Sequence, residues 1–165
     1  RGLKIPRFTI NVSSQSIEDP GIAKAIALEL VSAGIPGSSL LFEISEGDTL
    51  THLEPSIRFA TAIRSVGCGV VVDGFGRRSA TFMALKGLRP DLVKIDGVIT
   101  RKLLMAPAAE AKLKAILRVG EVMGFQCVAE MVEEQDILTR LKALGVAYAQ
   151  GFGIMQPHAI EDLNS

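Results

Sequence analysis

The chain has 165 residues, 48% of them hydrophobic and 22% charged, with 18 basic side chains against 18 acidic ones. That length suits a single domain able to bury a real core. A net charge of zero excludes the basic footprint of a polymeric nucleic-acid binder. Aromatics are only 5% with no tryptophan, which argues against a base-stacking platform. The apolar runs are short and broken by charge, so none reads as a membrane span or implies direct membrane contact. The N-terminus, Arg1-Gly2-Leu3-Lys4-Ile5-Pro6, lacks the apolar stretch of a signal peptide.

In chain order, Phe8-Thr9-Ile10-Asn11-Val12 reads as a strand, followed by a polar break at Ser13-Ser14-Gln15-Ser16. Asp19-Pro20 then predicts a helix start, with a capping carboxylate and proline at the first helical position. That helix carries Ile22, Ile26 and Leu30 on one face and ends near Gly34. Leu40-Leu41-Phe42-Glu43-Ile44 is the next strand, and Ile57, Ala60 and Ile63 mark a helix ending at Gly67. Gly69-Val70-Val71-Val72-Asp73 is the most β-branched run and reads as a fully buried strand. A short helix follows Ser79, and Leu92-Val93-Lys94-Ile95 is the fourth strand. Leu113, Ile116, Leu117, Val122 and Met123 stripe a long amphipathic helix. Gln126-Cys127-Val128-Ala129-Glu130 is a strand, and Ile137, Leu138, Leu141 and Leu144 line the helix after it. Tyr148-Ala149-Gln150-Gly151 closes the series.

Strands alternating with helices predict a parallel sheet with crossover connections. Two architectures compete, an open doubly wound sheet and a TIM-type (β/α) barrel. No glycine-rich phosphate loop follows the first strand, and Gly67-Cys68-Gly69 precedes a strand instead. Cys68 and Cys127 lie among apolar neighbours without metal spacing, and read as buried thiols. His52 and His158 are isolated in predicted loops, so no zinc site can be built from these four residues.

The strand ends favour the barrel. In order they present Asn11, Glu43, Asp73, Lys94, Glu130 and Gln150, polar residues that apolar strands would not choose for packing. The C-terminal ends of barrel strands ring one mouth, so these side chains would converge. Asparagine and carboxylate oxygens are hard ligands suited to Mg2+ or Mn2+. A lysine among them can orient or deprotonate a metal-bound water, or neutralise a phosphate.

The motifs around these residues carry a resemblance. Asn11-Val12-Ser13 with Gln15, Phe42-Glu43-Ile44-Ser45-Glu46, Asp73-Gly74-Phe75-Gly76, Val93-Lys94-Ile95-Asp96, Val128-Ala129-Glu130-Met131-Val132-Glu133 and Gln150-Gly151-Phe152 with Pro157 occur in that order. Together they resemble the EAL-domain family of bacterial cyclic di-GMP phosphodiesterases. The resemblance implies that Asn11, Glu43, Asp73 and Glu130 bind divalent metal, Glu130 supporting the second ion. It places Lys94 beside the attacking water, so that Lys94 and Glu130 are the catalytic candidates. Glu133, Gln150 and Pro157 fall in the nucleotide pocket, and Glu46 is the residue that holds the loop after the Asp73 strand. The implied reaction is hydrolysis of cyclic di-GMP to the linear dinucleotide pGpG, with two ions activating water and stabilising charge on phosphate.

Departures from the pattern set the functional expectation. Active members carry two adjacent aspartates where this chain has Asp73-Gly74, and glycine supplies no ligand. The following loop reads Phe75-Gly76-Arg77-Arg78-Ser79-Ala80-Thr81, so Glu46 loses its usual partner, with Arg77 or Arg78 as a substitute. Arg77 is also a candidate contact to ligand phosphate. The resemblance further implies that the signature Glu-Ala-Leu segment and the first two of eight strands lie upstream of residue 1. Residues 1–165 are then one EAL-like domain with about six strand–helix units. The expected function is a degenerate module that binds cyclic di-GMP or a protein partner with weak or no hydrolysis. The alternatives are an active Mg/Mn-dependent phosphodiesterase and, more remotely, another Mg-dependent barrel enzyme. The implied partners are a homodimer copy or an upstream GGDEF or sensor domain, and the implied location is the cytoplasm, beneath a membrane-anchored parent or not.

Overall fold

The computed structural model describes residues 7–77, 82–157 and 159. Its strands are β1 (Phe8–Asn11), β2 (Leu40–Ser45), β3 (Gly69–Phe75), β4 (Leu92–Ile95), β5 (Gln126–Ala129) and β6 (Tyr148–Ala149). All pair in parallel and lie side by side in chain order. A doubly wound sheet reverses its strand order at a switch point. Sequential order without reversal is the winding of a barrel, and the six strands form a half-barrel.

The helices are α1 (Ser14–Glu18), α2 (Ile22–Ala33), α3 (Glu46–Thr51), α4 (Leu53–Ser65), α5 (Phe82–Leu88), α6 (Gly97–Arg101), α7 (Pro107–Met123) and α8 (Gln135–Ala143). The two-residue period of a strand sends alternate side chains to opposite faces. Phe42, Ile44, Val70, Val72, Val93, Ile95, Cys127 and Ala129 form one such face, joined in a single core with Phe59, Ile63, Leu113, Ile116, Ile137 and Leu141 of the helices. Each fully buried aliphatic side chain there contributes about 1.5–3 kcal/mol. Phe42 and Phe59 add an edge-to-face contact with centroids 6.1 Å apart. The intervening residues, Leu41, Glu43, Val71, Asp73, Lys94 and Val128, take the other face of the sheet. No described helix is long and apolar enough to cross a membrane.

Several local expectations need correction. The polar stretch after β1 is no break: Ser13 accepts from the Ser16 N–H and caps α1. Asp19 does not cap α2. Its Oδ1 accepts from the Gly21 N–H at 2.7 Å in a turn, Gly21 is the N-cap, and Pro20 stays outside the helix. Two short helices, α3 and α6, follow strands directly, capped by the Ser45 hydroxyl and the Asp96 carboxylate. His52 sits at the junction of α3 and α4 and pairs with Glu18 at 2.9 Å. Arg78, Ser79 and His158 lie outside the described residues.

Candidate functional site

Strand register decides which of the polar strand ends meet. Asn11 stands opposite Glu43 across the β1–β2 ladder, and Ser45 stands opposite Asp73 across β2–β3. Glu43 is 3% exposed, an expensive place for a carboxylate unless it is paired. Its partner is Lys94 on β4, whose Nζ donates to Glu43 Oε2 at 2.7 Å. Asn11 is exposed at its strand end.

The pairing of β3 with β4 slips between Val72 and Phe75, so that Asp73 and Gly74 together oppose Lys94. Gly74 makes the bulge in the left-handed region at φ +65. The bulge leaves Asp73 Oδ1 buried with no hydrogen-bond partner among the described residues. Buried polar atoms are rarely left so, and such an atom calls for a reason. Beyond the bulge, the Gly76 N–H donates to Glu46 Oε1 at 2.9 Å, and the Lys112 ammonium donates to the Gly76 carbonyl. Glu46 therefore keeps its hold on this loop, against the expectation that it had lost it. A charged acceptor on a backbone N–H is a strong bond, and it survives the altered loop because it needs no particular side chain.

Glu130 follows β5 directly and accepts from the Gln150 amide at 3.0 Å. Burial, reinforced by the nearby Asp73, pushes its carboxyl up to about 7. Lys94 opposes the shift, while Glu43 and Asp96 add to it. The segments after β5 and β6 lie against each other through Val132 N–H to Gln150 O and Gly153 N–H to Val132 O, both 3.0 Å. A Cβ at Gly151 or Gly153 would overlap the backbone of Val132 or Glu133, so glycine permits this approach. Beside it opens a cavity of about 460 Å3 lined by Glu130, Glu133, Gln150 and Pro157. Arg101, Met131 and Phe152 complete that lining.

The structure thus brings Glu43, Asp73, Lys94 and Glu130 to one mouth, with Glu133, Gln150 and Pro157 beside it. Arg77 is exposed and lies outside the cavity lining. Sequence reasoning missed Asp96 as a member of the acidic group, although its place just after β4 was a usable signal. It also missed Arg101, which lies in none of the motifs, and Met131 and Phe152, which sit inside two of the motifs but were not singled out. Both cysteines are buried as expected, with burial pushing the Cys127 thiol up to about 12 and raising Cys68.

A hard divalent cation fits this donor chemistry at one place. Asp73 Oδ1 is unpartnered among the described residues, and Asp73, Glu43 and Asp96 lie near enough to Glu130 to raise its proton affinity, with Lys94 opposing them. Among the described residues, however, no three His, Cys, Asp or Glu side chains are grouped as a ready-made metal cluster.

A half-barrel of parallel strands with acids and a lysine at their C-terminal ends defines a TIM-barrel-like α/β protein with a candidate site at the mouth. The chain belongs to the EAL domain family, whose model matches residues 1–157. It is 34% identical over 153 residues to the cyclic di-GMP phosphodiesterase PdeB of Shewanella oneidensis, covering 93% of this chain and 18% of that protein. Among solved structures, the EAL domain of Mycobacterium smegmatis DcpA superposes with a TM-score of 0.89 at 28% identity, covering 95% of this chain and 70% of that one. The FimX EAL domain from Pseudomonas aeruginosa bound to c-di-GMP gives 0.86 at 27%, covering 92% and 62%. The chain spans from 18% to 49% of the length of curated relatives it matches, and about a fifth of PdeB.

Proposed function

We propose that this chain is a cyclic di-GMP-binding EAL module, one domain over residues 1–165, with weak or no hydrolysis. Cyclic di-GMP presents two phosphates and two planar bases. The cavity beside Glu133, Gln150 and Pro157 offers a place for a base, adjoining the acidic mouth where a phosphate would meet metal and Lys94. An Mg2+ or Mn2+ ion would supply Lewis-acid polarisation of phosphate oxygen and a more acidic bound water. Asp73 and Glu130 are the residues best suited to hold it, with Asn11 and Glu43 at the neighbouring strand ends. Lys94 is committed to neutralising Glu43, and burial, reinforced by the nearby Asp73, raises the proton affinity of Glu130 while no ion is bound.

The observation that carries the reading is Gly74. It stands beside the unpartnered Asp73 Oδ1, and it brings no oxygen to a second ion. The surviving set Glu43, Asp73, Lys94 and Glu130 favours a second reading, an active phosphodiesterase releasing pGpG. On the first reading the domain works in the cytoplasm, as a homodimer or behind a GGDEF or sensor domain of its parent.

Titration of the purified protein with cyclic di-GMP, with and without Mg2+ or Mn2+, separates the two when the products are resolved chromatographically. Micromolar binding without turnover is expected, and pGpG at a useful rate would overturn it. Gly74→Asp is expected to gain divalent affinity by calorimetry. Aspartate tolerates the left-handed backbone better than most residues, at a cost of about 1 kcal/mol. No gain in metal affinity would remove Gly74 as the cause of the defect.

A further inference from the structure

Met131 is one of two non-glycine residues with positive φ among the described residues, at +54. An unbranched apolar side chain has no local hydrogen bond to offset that conformation, so the surrounding structure must impose it. The imposition is visible on both sides. The Glu130 N–H donates to Ile95 O at 3.3 Å, and the Val132 N–H donates to Gln150 O at 3.0 Å. Burial does not repay the strain, because Met131 remains 48% exposed.

The side chain nevertheless has a prepared seat. It lies over Gly97, where a Cβ would stand 2.5 Å from Met131 Sδ and 2.7 Å from Cγ. The seat is thus shaped by the lack of a side chain at residue 97, at the start of α6 beside Asp96. From it, Met131 lines the same cavity as Glu133, Gln150 and Phe152. A strained and half-exposed methionine aimed into a ligand-sized cavity has the character of a contact residue. Its thioether is polarisable and favours aromatic surfaces.

Resting on the proposed reading of this cavity, we infer that Met131 is a specificity-determining wall of the pocket, presenting its thioether to the planar base of the bound nucleotide. Gly97 is the residue that keeps it in place. Phe152 and Met131 then supply apolar surface, while Glu133 and Gln150 supply hydrogen bonds.

The test compares the unaltered protein, Met131→Gly and Gly97→Ala by calorimetric titration with cyclic di-GMP, alongside thermal denaturation of each. Met131→Gly relieves the left-handed strain, so its Tm is expected to be unchanged or higher. Its affinity is expected to fall about tenfold, the scale of one lost thioether–aromatic contact. Gly97→Ala retains the methionine but displaces it, and is expected to weaken binding as well. Met131→Gly binding as tightly as the unaltered protein overturns the inference, as does a loss of affinity that only accompanies a fall in Tm. Failure of the unaltered protein to bind overturns the cavity reading itself, and the inference with it.

Discussion

The two halves of the mouth handle charge in opposite ways. On the β2–β4 side, Glu43 and Lys94 are both largely buried and neutralise one another at 2.7 Å. On the β5–β6 side, Glu130 meets a neutral amide from Gln150, lines an open cavity, and has its proton affinity raised by partial burial and by the nearby Asp73. One sheet edge thus holds a sealed ion pair and an unsealed carboxylate side by side. The sealed half pairs its charges internally, and the open half leaves its carboxylates, among the described residues, without a cationic partner of their own. Asp73 lies between them with one oxygen unpartnered among the described residues, and belongs with the open half.

The largest expected effect breaks the sealed half. Lys94→Ala strands a buried carboxylate and should destabilise the fold by about 3–5 kcal/mol in urea denaturation. The double variant Glu43→Gln, Lys94→Met removes both charges and should recover most of that loss. If Lys94→Ala is nearly neutral, the pair is not sealed and the contrast fails.

Next comes the loop that leads out of β3. Glu46→Ala removes the carboxylate that accepts the Gly76 N–H and should cost about 1–3 kcal/mol, with faster amide exchange at Gly76. Unchanged exchange there would mean that Lys112 holds the loop alone.

The open half is sharpened by pH. A carboxyl raised from 4.5 to about 7 binds more protons when folded than when unfolded across that interval. Stability should therefore decline as pH rises from about 4.5 to 7, the folded state losing the proton it favours. Glu130→Gln should flatten this slope. Asp73→Asn should lower the Glu130 midpoint followed by carboxyl NMR, because the Asp73 charge helps to raise it. A Glu130 midpoint that ignores Asp73 would separate the two residues. The smallest effect serves as a baseline: Arg118→Ala, which breaks the exposed pair with Glu121, should change stability by less than about 0.5 kcal/mol.

The fold was legible because its signals are long and redundant. The β-branched run at Val70–Val72, the apolar stripes of α2, α4, α7 and α8, and the polar strand ends all describe one winding. What escaped notice was short. Helices α3 and α6 have too few residues to show a period, and each begins where a strand has barely ended. Asp19 misled because the same carboxylate can cap a helix or close a turn two residues on, and the following Gly21 decided the matter. At the site, the charged strand ends were readable from residue type and position. The hold of Glu46 on Gly76 was hidden because its partner is backbone. Met131 was hidden because no feature of a methionine announces a left-handed backbone.

The contact between the segments after β5 and β6 has a mechanical consequence. Because Val132 is bonded to both Gln150 and Gly153, Glu133 and Gln150 sit on a single jaw instead of two independent fingers. A ligand that draws in one must carry the other with it. The spacing between their polar groups is then a fixed gauge, set by two glycines that leave no room for a side chain.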